Sequence, residues 1–404
     1  MEHLAFSPPS LPTGAPQGLK TLTLDLNLDV TQRLADLQTW LTAWQTEDHR
    51  LLQRIQSLTP SRRDVLLGSQ IGSLRRQLVI QVARQPVYLD PEAVRRVGLT
   101  RLHQHLVPQY ANLSRPDRER WLTNLFFLLT PTVWNLVEKL EAIRRYRSLG
   151  QARCFLLGGV SGIGKSSALN WYAVNYLPTV EATRNHVPIV KIDAPVSNRS
   201  PKPMFMRMLL ACGASMIGGD EEHYLGLLEL YFQQCGVELL IVDEVEHITR
   251  PGLRRRLLEL SNLTGVPIVC ASCNPIAWTT GDAEVQGRWN DYFELTQFTG
   301  PRLDAFLTLL DLLLPFGQDS RLGLREIADE QGRMVAGPAH YIEQWTDGIL
   351  REIMVLVMDA SLKAISTQQP CLTVDVLHQA WRDIKRAKVV NFLDHLRAQA
   401  GGGA

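Results

Sequence analysis

The sequence has almost no net charge, few cysteines and no long apolar run, and each shortage excludes a class of protein. Its 42 lysines and arginines are balanced by 41 aspartates and glutamates, so no strong overall field draws the chain to nucleic acid or to a membrane. No apolar stretch is long enough to span a bilayer, and the N-terminus lacks the pattern of a signal peptide. We therefore expect a cytoplasmic protein without a membrane partner, and any contact with nucleic acid would have to come from a local basic patch.

The 6 cysteines do not follow the spacing of a zinc site or of a disulfide scaffold. Cys154 and Cys235 lie in apolar runs, as buried free thiols do in a reducing compartment. Cys270 and Cys273 form a C-x-x-C pair, but no second pair of cysteines or histidines accompanies it. We expect these two residues to have a structural role.

Hydrophobic periodicity divides the 404 residues into helical and α/β regions. The predicted regions are a flexible tail (1–28), an N-terminal helical domain (29–112), an α/β core with a helical lead-in (113–300), a helical lid (301–382), and a C-terminal helix with a disordered tail (383–404). The lead-in is predicted as one helical stretch from Arg115 to about Arg147. In the core, short apolar β-rich runs alternate with helices, which predicts an α/β fold with a buried parallel sheet.

The clearest motif is a phosphate-binding loop between a predicted strand and a predicted helix. Residues 159–166 fit G-x-x-x-x-G-K-S and directly follow the apolar run CFLLG. Glycines permit the positive φ angles that turn backbone N–H groups toward a phosphate, and the helix N-terminus adds a favourable dipole. Lys165 is expected to reach the β- and γ-phosphates of ATP, and the Ser166 hydroxyl to ligate Mg²⁺. The predicted nucleotide-binding residues of this loop are Gly159, Gly162, Gly164, Lys165, Ser166 and Ser167.

A second motif, LLIVDE, places two carboxylates at the end of a predicted buried strand. In an open α/β sheet, ligands bind at the carboxyl ends of the strands. Asp243 is therefore expected to hold Mg²⁺, and Glu244 to orient and deprotonate the water that attacks ATP. Together with the upstream P-loop, the pair predicts an ATPase.

Asn274 and Arg288 are predicted to complete the catalytic site, and each has a simpler alternative. Asn274 follows the next apolar strand, where its amide can hydrogen-bond the γ-phosphate or the water; the alternative is an Asn-Pro turn. Arg288 is our first candidate for an arginine finger supplied to a neighbouring subunit, and Arg250 is the second. Either arginine can instead be a solvated surface residue.

The succession of segments from about Leu113 to Leu377 resembles the AAA+ ATPases that regulate target selection in DNA transposons, the TnsC/TniB type. The resemblance runs through the lead-in RPDRERWLTNLFFLL, the P-loop, PIVKIDAPVSNRSPKPMFMRMLLACG, GRWNDYFELTQFTGPRLDAF and a lid that ends in LTVDVLHQAW. It implies an AAA+ (ASCE P-loop) core with a parallel five-stranded sheet and an all-α lid. The extra N-terminal all-α domain lies outside the resemblance, and we interpret it as a partner-binding module.

This resemblance also implies cofactors and partners. A homo-oligomeric ring or filament would form with ATP and Mg²⁺ on double-stranded DNA, without sequence specificity, and would contact a target-recognition protein and a transposase. In the family, DNA-tracking residues lie near the loop after the second strand, so Arg199 and Lys202 are our DNA-binding candidates; the alternative is solvated loop charges. At Gly337-Pro-Ala-His340 the chain departs from many AAA+ lids, which have an arginine where His340 stands.

Two other classes of NTPase stay open on the sequence. A nucleotide-switched signalling or scaffold NTPase usually continues into sensor repeats, which do not follow the lid here. An origin-recognition or helicase-loader ATPase normally ends in a winged helix, whereas we expect the residues after 320 to be all-helical. The run Arg254-Arg255-Arg256 is expected to be a solvated helix face, with a DNA pore or a subunit interface as the alternative. Trp278 and Trp289 are expected to be packing residues.

Overall fold

A computed structural model describes the greater part of the chain. The described residues are 22–23, 86–88, 110–111, 113–123, 127–145, 153–174, 176, 179–180, 185–196, 200–214, 218–280, 283–289, 291–329 and 331–401. The predicted tail and N-terminal helical domain lie almost entirely outside these residues, as does Arg199.

The strands and helices are named here in chain order. The strands are β1 (Leu22–Thr23), β2 (Pro86–Tyr88), β3 (Phe127–Leu128), β4 (Cys154–Gly158), β5 (Thr179–Val180), β6 (Asn185–His186), β7 (Ile189–Asp193), β8 (Leu239–Asp243), β9 (Ile268–Ala271), β10 (Asp291–Glu294), β11 (Glu326–Ala328) and β12 (Met334–Ala336). The helices are α1 (Arg115–Thr123), α2 (Pro131–Arg145), α3 (Lys165–Val174), α4 (Lys202–Ala211), α5 (Glu221–Gln234), α6 (Pro251–Thr264), α7 (Pro275–Thr279), α8 (Ala283–Arg288), α9 (Gly300–Leu313), α10 (Pro338–Thr346), α11 (Leu350–Ser366) and α12 (Val374–Gly401). A short 3-10 helix spans Val245–His247.

The central feature is a five-stranded sheet in the order β10-β4-β9-β8-β7, with every neighbouring pair parallel. Strands β4, β8 and β9 are buried along their whole length, as expected when helical crossovers cover both faces of a parallel sheet. Strand β4 leads into the P-loop, and β9 separates it from β8, which ends in Asp243. The predicted α/β class and parallel five-stranded sheet are confirmed.

The chain divides into two compact units. The α/β unit includes residues 129–296 and therefore the whole five-stranded sheet. The helical unit includes residues 110–128 and 297–401, so the segment that precedes the α/β unit in sequence belongs to the same unit as the predicted lid. The predicted boundary at 113 does not coincide with this division.

The predicted lead-in is two helices rather than one. Helix α1 lies in the helical unit and packs against α11, whereas α2 lies in the α/β unit. Strand β3 lies between the two helices, and α2 begins at Pro131, where the Thr130 hydroxyl accepts a hydrogen bond from the Val133 N–H at 3.3 Å. Proline at the first helical position and threonine before it are ordinary helix-start signals. The apolar periodicity nevertheless looked helical on both sides of Thr130 and Pro131, so the sequence analysis predicted a single helical stretch.

The helical unit also differs from the all-helical prediction. Strands β11 and β12 form an antiparallel hairpin, with Glu326 opposite Ala336 and Gly332 at φ +76° in the turn. Three-residue strands with mostly exposed side chains carry little hydrophobic alternation, so the pattern did not reveal them. Helix α12 runs unbroken from Val374 to Gly401, so the predicted boundary at 383 falls inside a helix.

Aromatic rings hold α10 against α12 in the helical unit. Trp345 of α10 stacks on Trp381 of α12 with ring centroids 6.0 Å apart. Tyr341, also on α10, stacks on Trp345 at 5.3 Å. Such contacts add to the apolar area that the rings remove from water. In the part of the chain that the structure describes, none of the helices has the length and apolar character needed to cross a bilayer.

Candidate nucleotide-binding site

The P-loop has the backbone conformation that the glycines were predicted to permit. Gly159, Gly162 and Gly164 have φ angles of +141°, +82° and +105°, a region that side chains disfavour. A Cβ atom on Gly159 would also lie 2.5 Å from the Leu295 carbonyl oxygen, so no larger residue fits there. The loop therefore has the backbone conformation that can turn N–H groups toward a phosphate.

Lys165 begins α3 and lies against the loop that precedes it. Its side chain is buried, and its ammonium group donates to the carbonyl oxygens of Gly159 and of Val160, the latter at 3.1 Å. Ser166 and Ser167 follow in the first turn of α3 and are exposed. A phosphate oxygen that bound Lys165 would compete with these carbonyl oxygens for the ammonium group.

Asp243 is buried at the carboxyl end of β8, with 2% of its surface exposed. Its Oδ1 atom accepts a hydrogen bond from the Glu244 N–H at 2.9 Å. Its Oδ2 atom lies 3.5 Å from Nζ of Lys191, a residue of β7 that the sequence analysis did not single out. Both oxygens of the predicted metal ligand therefore already face a hydrogen-bond donor or a cation.

Glu244 has the left-handed backbone conformation, with φ 56° and ψ 38°. For a residue other than glycine this conformation costs about 1–2 kcal/mol. The side chain is 55% exposed, and its Oε2 atom lies 3.8 Å from Nε2 of His247. The chain thus holds an exposed carboxylate beside a buried one at the carboxyl edge of the sheet, where a general base for water was predicted.

Asn274 has the local contacts of a helix cap. Its side-chain oxygen accepts a hydrogen bond from the Ala277 N–H at 3.1 Å, at the start of α7. Its own N–H donates to the hydroxyl of the buried Ser272 at 3.0 Å. These are the contacts of the Asn-Pro turn that was the alternative, and the sensor role stays a prediction.

Glu246 is a further acidic residue of the site that sequence reasoning missed. Its Oε2 atom accepts a hydrogen bond from the Cys273 N–H at 3.4 Å. Burial on its own would raise the pKa of this carboxyl, but hydrogen bonds from Cys273 and the charge of Lys165 lower it below its ordinary value. Glu246 is therefore an anion close to the P-loop lysine. The signal in the sequence was the third carboxylate of DEVEH, which lies outside the strand-end pattern.

The residues present fit Mg²⁺ and a nucleotide phosphate. Mg²⁺ prefers oxygen ligands, and the Ser166 hydroxyl and Asp243 carboxylate are of that type. Strands β4 and β8 are parallel members of one sheet, so the P-loop and Asp243 are at the same edge. The glycine loop supplies the backbone conformation in which N–H groups can face the phosphates.

Arg288 lies at the amino ends of the sheet strands, opposite the carboxyl ends where the P-loop and Asp243 lie. It ends α8, and its Nη2 atom donates to Oδ1 of Asn262 at 2.6 Å. Burial raises the pKa of the Cys154 thiol, and the nearby charge of Arg288 opposes that rise. Cys154 is the first residue of β4, whereas the P-loop follows the last residue of that strand. Arg288 therefore lies away from the nucleotide site of its own chain. Arg250 is exposed directly before α6, on the segment that follows β8.

Lys202, the described DNA-binding candidate, begins α4 and is exposed. Its ammonium donates to the Gly219 carbonyl oxygen at 3.0 Å and lies 5.4 Å from the centre of the Tyr224 ring. Both contacts leave a cation at the surface. The partner candidate Arg199 is outside the described residues.

The prediction that Arg254 lies on a solvated helix face was wrong. Only 8% of its surface is exposed, and its guanidinium donates to the carbonyl oxygens of Ile248, at 3.3 Å, and of Trp278. It also lies over the Trp278 ring at 4.8 Å. Trp278 and Trp289 are buried and meet edge to face at 6.0 Å. Arg254 therefore stabilises the fold, by joining α6 to α7 and to the end of the 3-10 helix.

Comparison with known proteins supports the resemblance seen in the sequence. Residues 118–298 match the family model described as Bacterial TniB protein, which confirms the resemblance over that segment. A search of curated proteins found no match.

Similar solved structures come from origin-recognition and Cdc6 proteins. The Aeropyrum pernix ORC2 protein in its ADPNP-ADP complexes is 14% identical, with 63% of this chain and 69% of that chain covered and a TM-score of 0.45. Cdc6p from Pyrobaculum aerophilum is 14% identical, with coverages of 60% and 64% and a TM-score of 0.43. Drosophila ORC bound to DNA is 14% identical, with coverages of 67% and 66% and a TM-score of 0.43. The assignment of an α/β P-loop fold rests on the strand order and the P-loop of this chain itself.

Proposed function

We propose that this protein is an ATP-dependent AAA+ regulator that assembles on double-stranded DNA, selects a target site, and recruits and activates a transposase. The observation that carries the proposal is the presence of a P-loop and an Asp-Glu pair at one edge of a parallel sheet, within a segment that matches the TniB family. The match supports transposition as the setting, and the site supports ATP as the ligand.

The chemistry of the proposed reaction is ATP hydrolysis. The P-loop N–H groups and Lys165 bind the phosphates, and Ser166 and Asp243 hold Mg²⁺, which neutralises phosphate charge when it is bound. Glu244 accepts a proton from the attacking water, and its exposed carboxylate is the described group best suited to do so. Phosphoryl transfer needs positioning and charge stabilisation more than covalent chemistry, and these residues provide both.

Assembly of several subunits is part of the proposal because the arginine-finger candidate does not face the nucleotide site of its own chain. Arg288 lies at the edge of the sheet opposite the P-loop, so an arginine finger at this position acts on the nucleotide of a neighbouring subunit. DNA contacts fall to Lys202 and Arg199, which would bind phosphates without reading sequence. ATP binding, subunit contact and DNA binding are then parts of one assembly reaction.

Electron microscopy of the purified protein tests this proposal. Samples with a non-hydrolysable ATP analogue, with duplex DNA, with both, and with neither should show rings or filaments only when both ligands are present. A monodisperse monomer in every condition would contradict the proposal, and would favour a nucleotide-switched scaffold built on the same ATP site.

The DNA contact is tested separately by Lys202→Glu. Because a phosphate contact contributes to affinity and to its salt dependence, the variant should bind duplex DNA more weakly, with a log–log salt slope reduced by about 1. Lys139→Glu, a charge reversal at an exposed lysine of α2, is the matched control. Unchanged affinity and slope for Lys202→Glu would remove this residue from the DNA interface.

A further inference from the structure

A lysine lies next to the carboxylate that is expected to hold Mg²⁺. Lys191 belongs to β7, and only 8% of its side chain is exposed. Its Nζ atom is 3.1 Å from Oδ1 of Asp193 and 3.5 Å from Oδ2 of Asp243. Lysine is rarely buried unless it is paired, so these two contacts account for its position.

The sheet register explains why this lysine reaches Asp243. Strands β7 and β8 are parallel neighbours, with Lys191 beside Ile241 and Asp193 beside Asp243. Alternate residues of a strand share a face, so Lys191 and Asp193 are on the same side of β7. The long side chain of Lys191 extends along that face past its own partner Ile241, to the carboxyl end of the strands, where Asp243 lies.

The two carboxylates differ in how much they need a counter-ion. The side chain of Asp193 is 62% exposed, whereas that of Asp243 is 3% exposed. Water screens the interaction between Lys191 and the exposed Asp193, whereas a buried carboxylate such as Asp243 is strongly unfavourable without a compensating charge. The interaction with Asp243 is therefore the one that matters for stability.

We propose that Lys191 is a built-in counter-ion of Asp243. Its ammonium stabilises the buried carboxylate in the Mg²⁺-free protein and opposes Mg²⁺ binding by charge repulsion. Mg²⁺ then binds firmly only with the nucleotide, whose phosphates offset the lysine charge. The metal part of this inference rests on the proposed function, which assigns Asp243 to Mg²⁺; the ion pair itself does not.

A double-mutant cycle tests the ion pair in buffer without metal, nucleotide or DNA. Lys191→Met should lower the midpoint of thermal unfolding, because it leaves Asp243 buried and unpaired. In the Asp243→Asn background the same change should have little effect. Equal losses in both backgrounds would refute the pairing. Asp193→Asn, which removes only the exposed partner, and Lys139→Met, a lysine loss elsewhere in the same unit, are the controls.

Metal binding tests the second half of the proposal. Mn²⁺, followed by electron paramagnetic resonance as a substitute for Mg²⁺, should bind Lys191→Met without nucleotide about tenfold more tightly than it binds the native protein. The gain should disappear when Asp243→Asn is added. Equal Mn²⁺ affinity of the native protein and Lys191→Met would overturn the proposal.

Lys191→Arg and Lys191→Gln guard against a trivial loss of folding. Arginine keeps the charge and should keep both the thermal midpoint and the weak Mn²⁺ binding, whereas glutamine should behave like methionine. Circular dichroism checks that each variant is folded. Because none of these measurements uses ATP hydrolysis or DNA, a protein that fails to form filaments can still pass them, and failure of this inference is distinguishable from failure of the proposed function.

Discussion

The two ends of the five-stranded sheet treat their charged groups in opposite ways. At the carboxyl end, Glu244 has a strained backbone and an exposed carboxylate, and Lys165 contacts carbonyl oxygens of its own loop. At the amino end, charged and phenolic side chains hydrogen-bond one another, and of their buried polar atoms Nε of Arg144 is left without a hydrogen-bond partner. Since both ends belong to the same sheet, the difference lies in what surrounds the strands.

The amino-end group is centred on Glu141 of α2. Its Oε1 atom accepts hydrogen bonds from the hydroxyls of Tyr172, at 2.7 Å, and of Tyr176, and its Oε2 atom accepts one from Nη2 of Arg144 at 2.9 Å. Arg144 also donates to Glu238, the residue before β8, and its guanidinium lies 4.4 Å from the centre of the Tyr176 ring. These contacts join α2, the C-terminal end of α3 and the start of β8.

This contrast separates stability from reactivity within one domain. A polar network with its partners in place stabilises the fold and fixes its geometry. A site with strain and an exposed carboxylate is available to a ligand, since such outliers cluster at functional sites. Changes at the carboxyl end should therefore alter ligand chemistry, and changes at the amino end should alter unfolding.

The largest expected effect is on hydrolysis at the carboxyl end. Glu244→Gln removes the proposed base but keeps its size, so ATP turnover should fall about 100- to 10 000-fold while ATP binding persists. Phosphate release measures ATP turnover, and a fluorescent ATP analogue measures ATP binding. Filaments of the variant, where they form, should last longer than those of the native protein. Glu259→Gln on α6 is the control, and rapid hydrolysis by Glu244→Gln would rule this residue out as the base.

The second-largest expected effect is on nucleotide affinity. Lys165→Ala removes a charge-assisted contact to phosphate, so ATP affinity should fall about 100-fold, and assembly should be lost with it. Calorimetric titration measures the affinity, with Lys139→Ala as the matched control. Normal filaments from Lys165→Ala in the presence of ATP would contradict the assigned role.

At the amino end, the expected change is in stability alone. Glu141→Ala leaves Arg144 and two tyrosine hydroxyls without their shared acceptor, so the free energy of unfolding should fall by about 2 kcal/mol. Urea denaturation measures it, and Glu138→Ala, at an exposed position of the same helix, is the control. If instead Glu141→Ala impaired ATP binding with unchanged stability, the separation between the two ends would fail.

The smallest expected effect is on pH dependence. Partial burial raises the pKa of Glu141, but hydrogen bonds from Arg144, Tyr176 and Tyr172 outweigh it and lower the pKa below the usual 4.5. A carboxylate with a lowered folded-state pKa contributes stability above 4.5, and loses it as the pH falls through its folded value. The stability difference between the native protein and Glu141→Ala should therefore be constant from neutral pH down to about 5 and shrink below 4.5. A difference that stayed constant through the acid range would show that the charge of Glu141 contributes nothing.

The parts of the fold that the sequence predicted are contiguous in the chain. The P-loop is a run of eight residues between a strand and a helix, and Asp243 ends a run of apolar residues, so local chemistry defined both. The parallel sheet was predicted for the same reason, because its three central strands bury both faces and their sequences are apolar almost throughout.

The parts that were missed depend on residues far apart in sequence. Lys191 in a strand suggests a solvated position until β8 brings Asp243 beside it. Arg254 suggests a solvated face until the carbonyl oxygen of Trp278 closes over it. No local pattern links Glu141 to Tyr172 or Arg144 to Glu238, since only the packing of α2, α3 and β8 does so.

The left-handed backbone of Glu244 has a consequence for any search for sturdier versions of this protein. Asparagine and glycine adopt that conformation more readily than glutamate, so exchanging Glu244 for either would relieve the turn while deleting the proposed base. A library of variants screened only for survival on heating would thus enrich inactive chains at this position. Heat resistance and turnover are opposed at a single residue, and an engineering programme here has to score both.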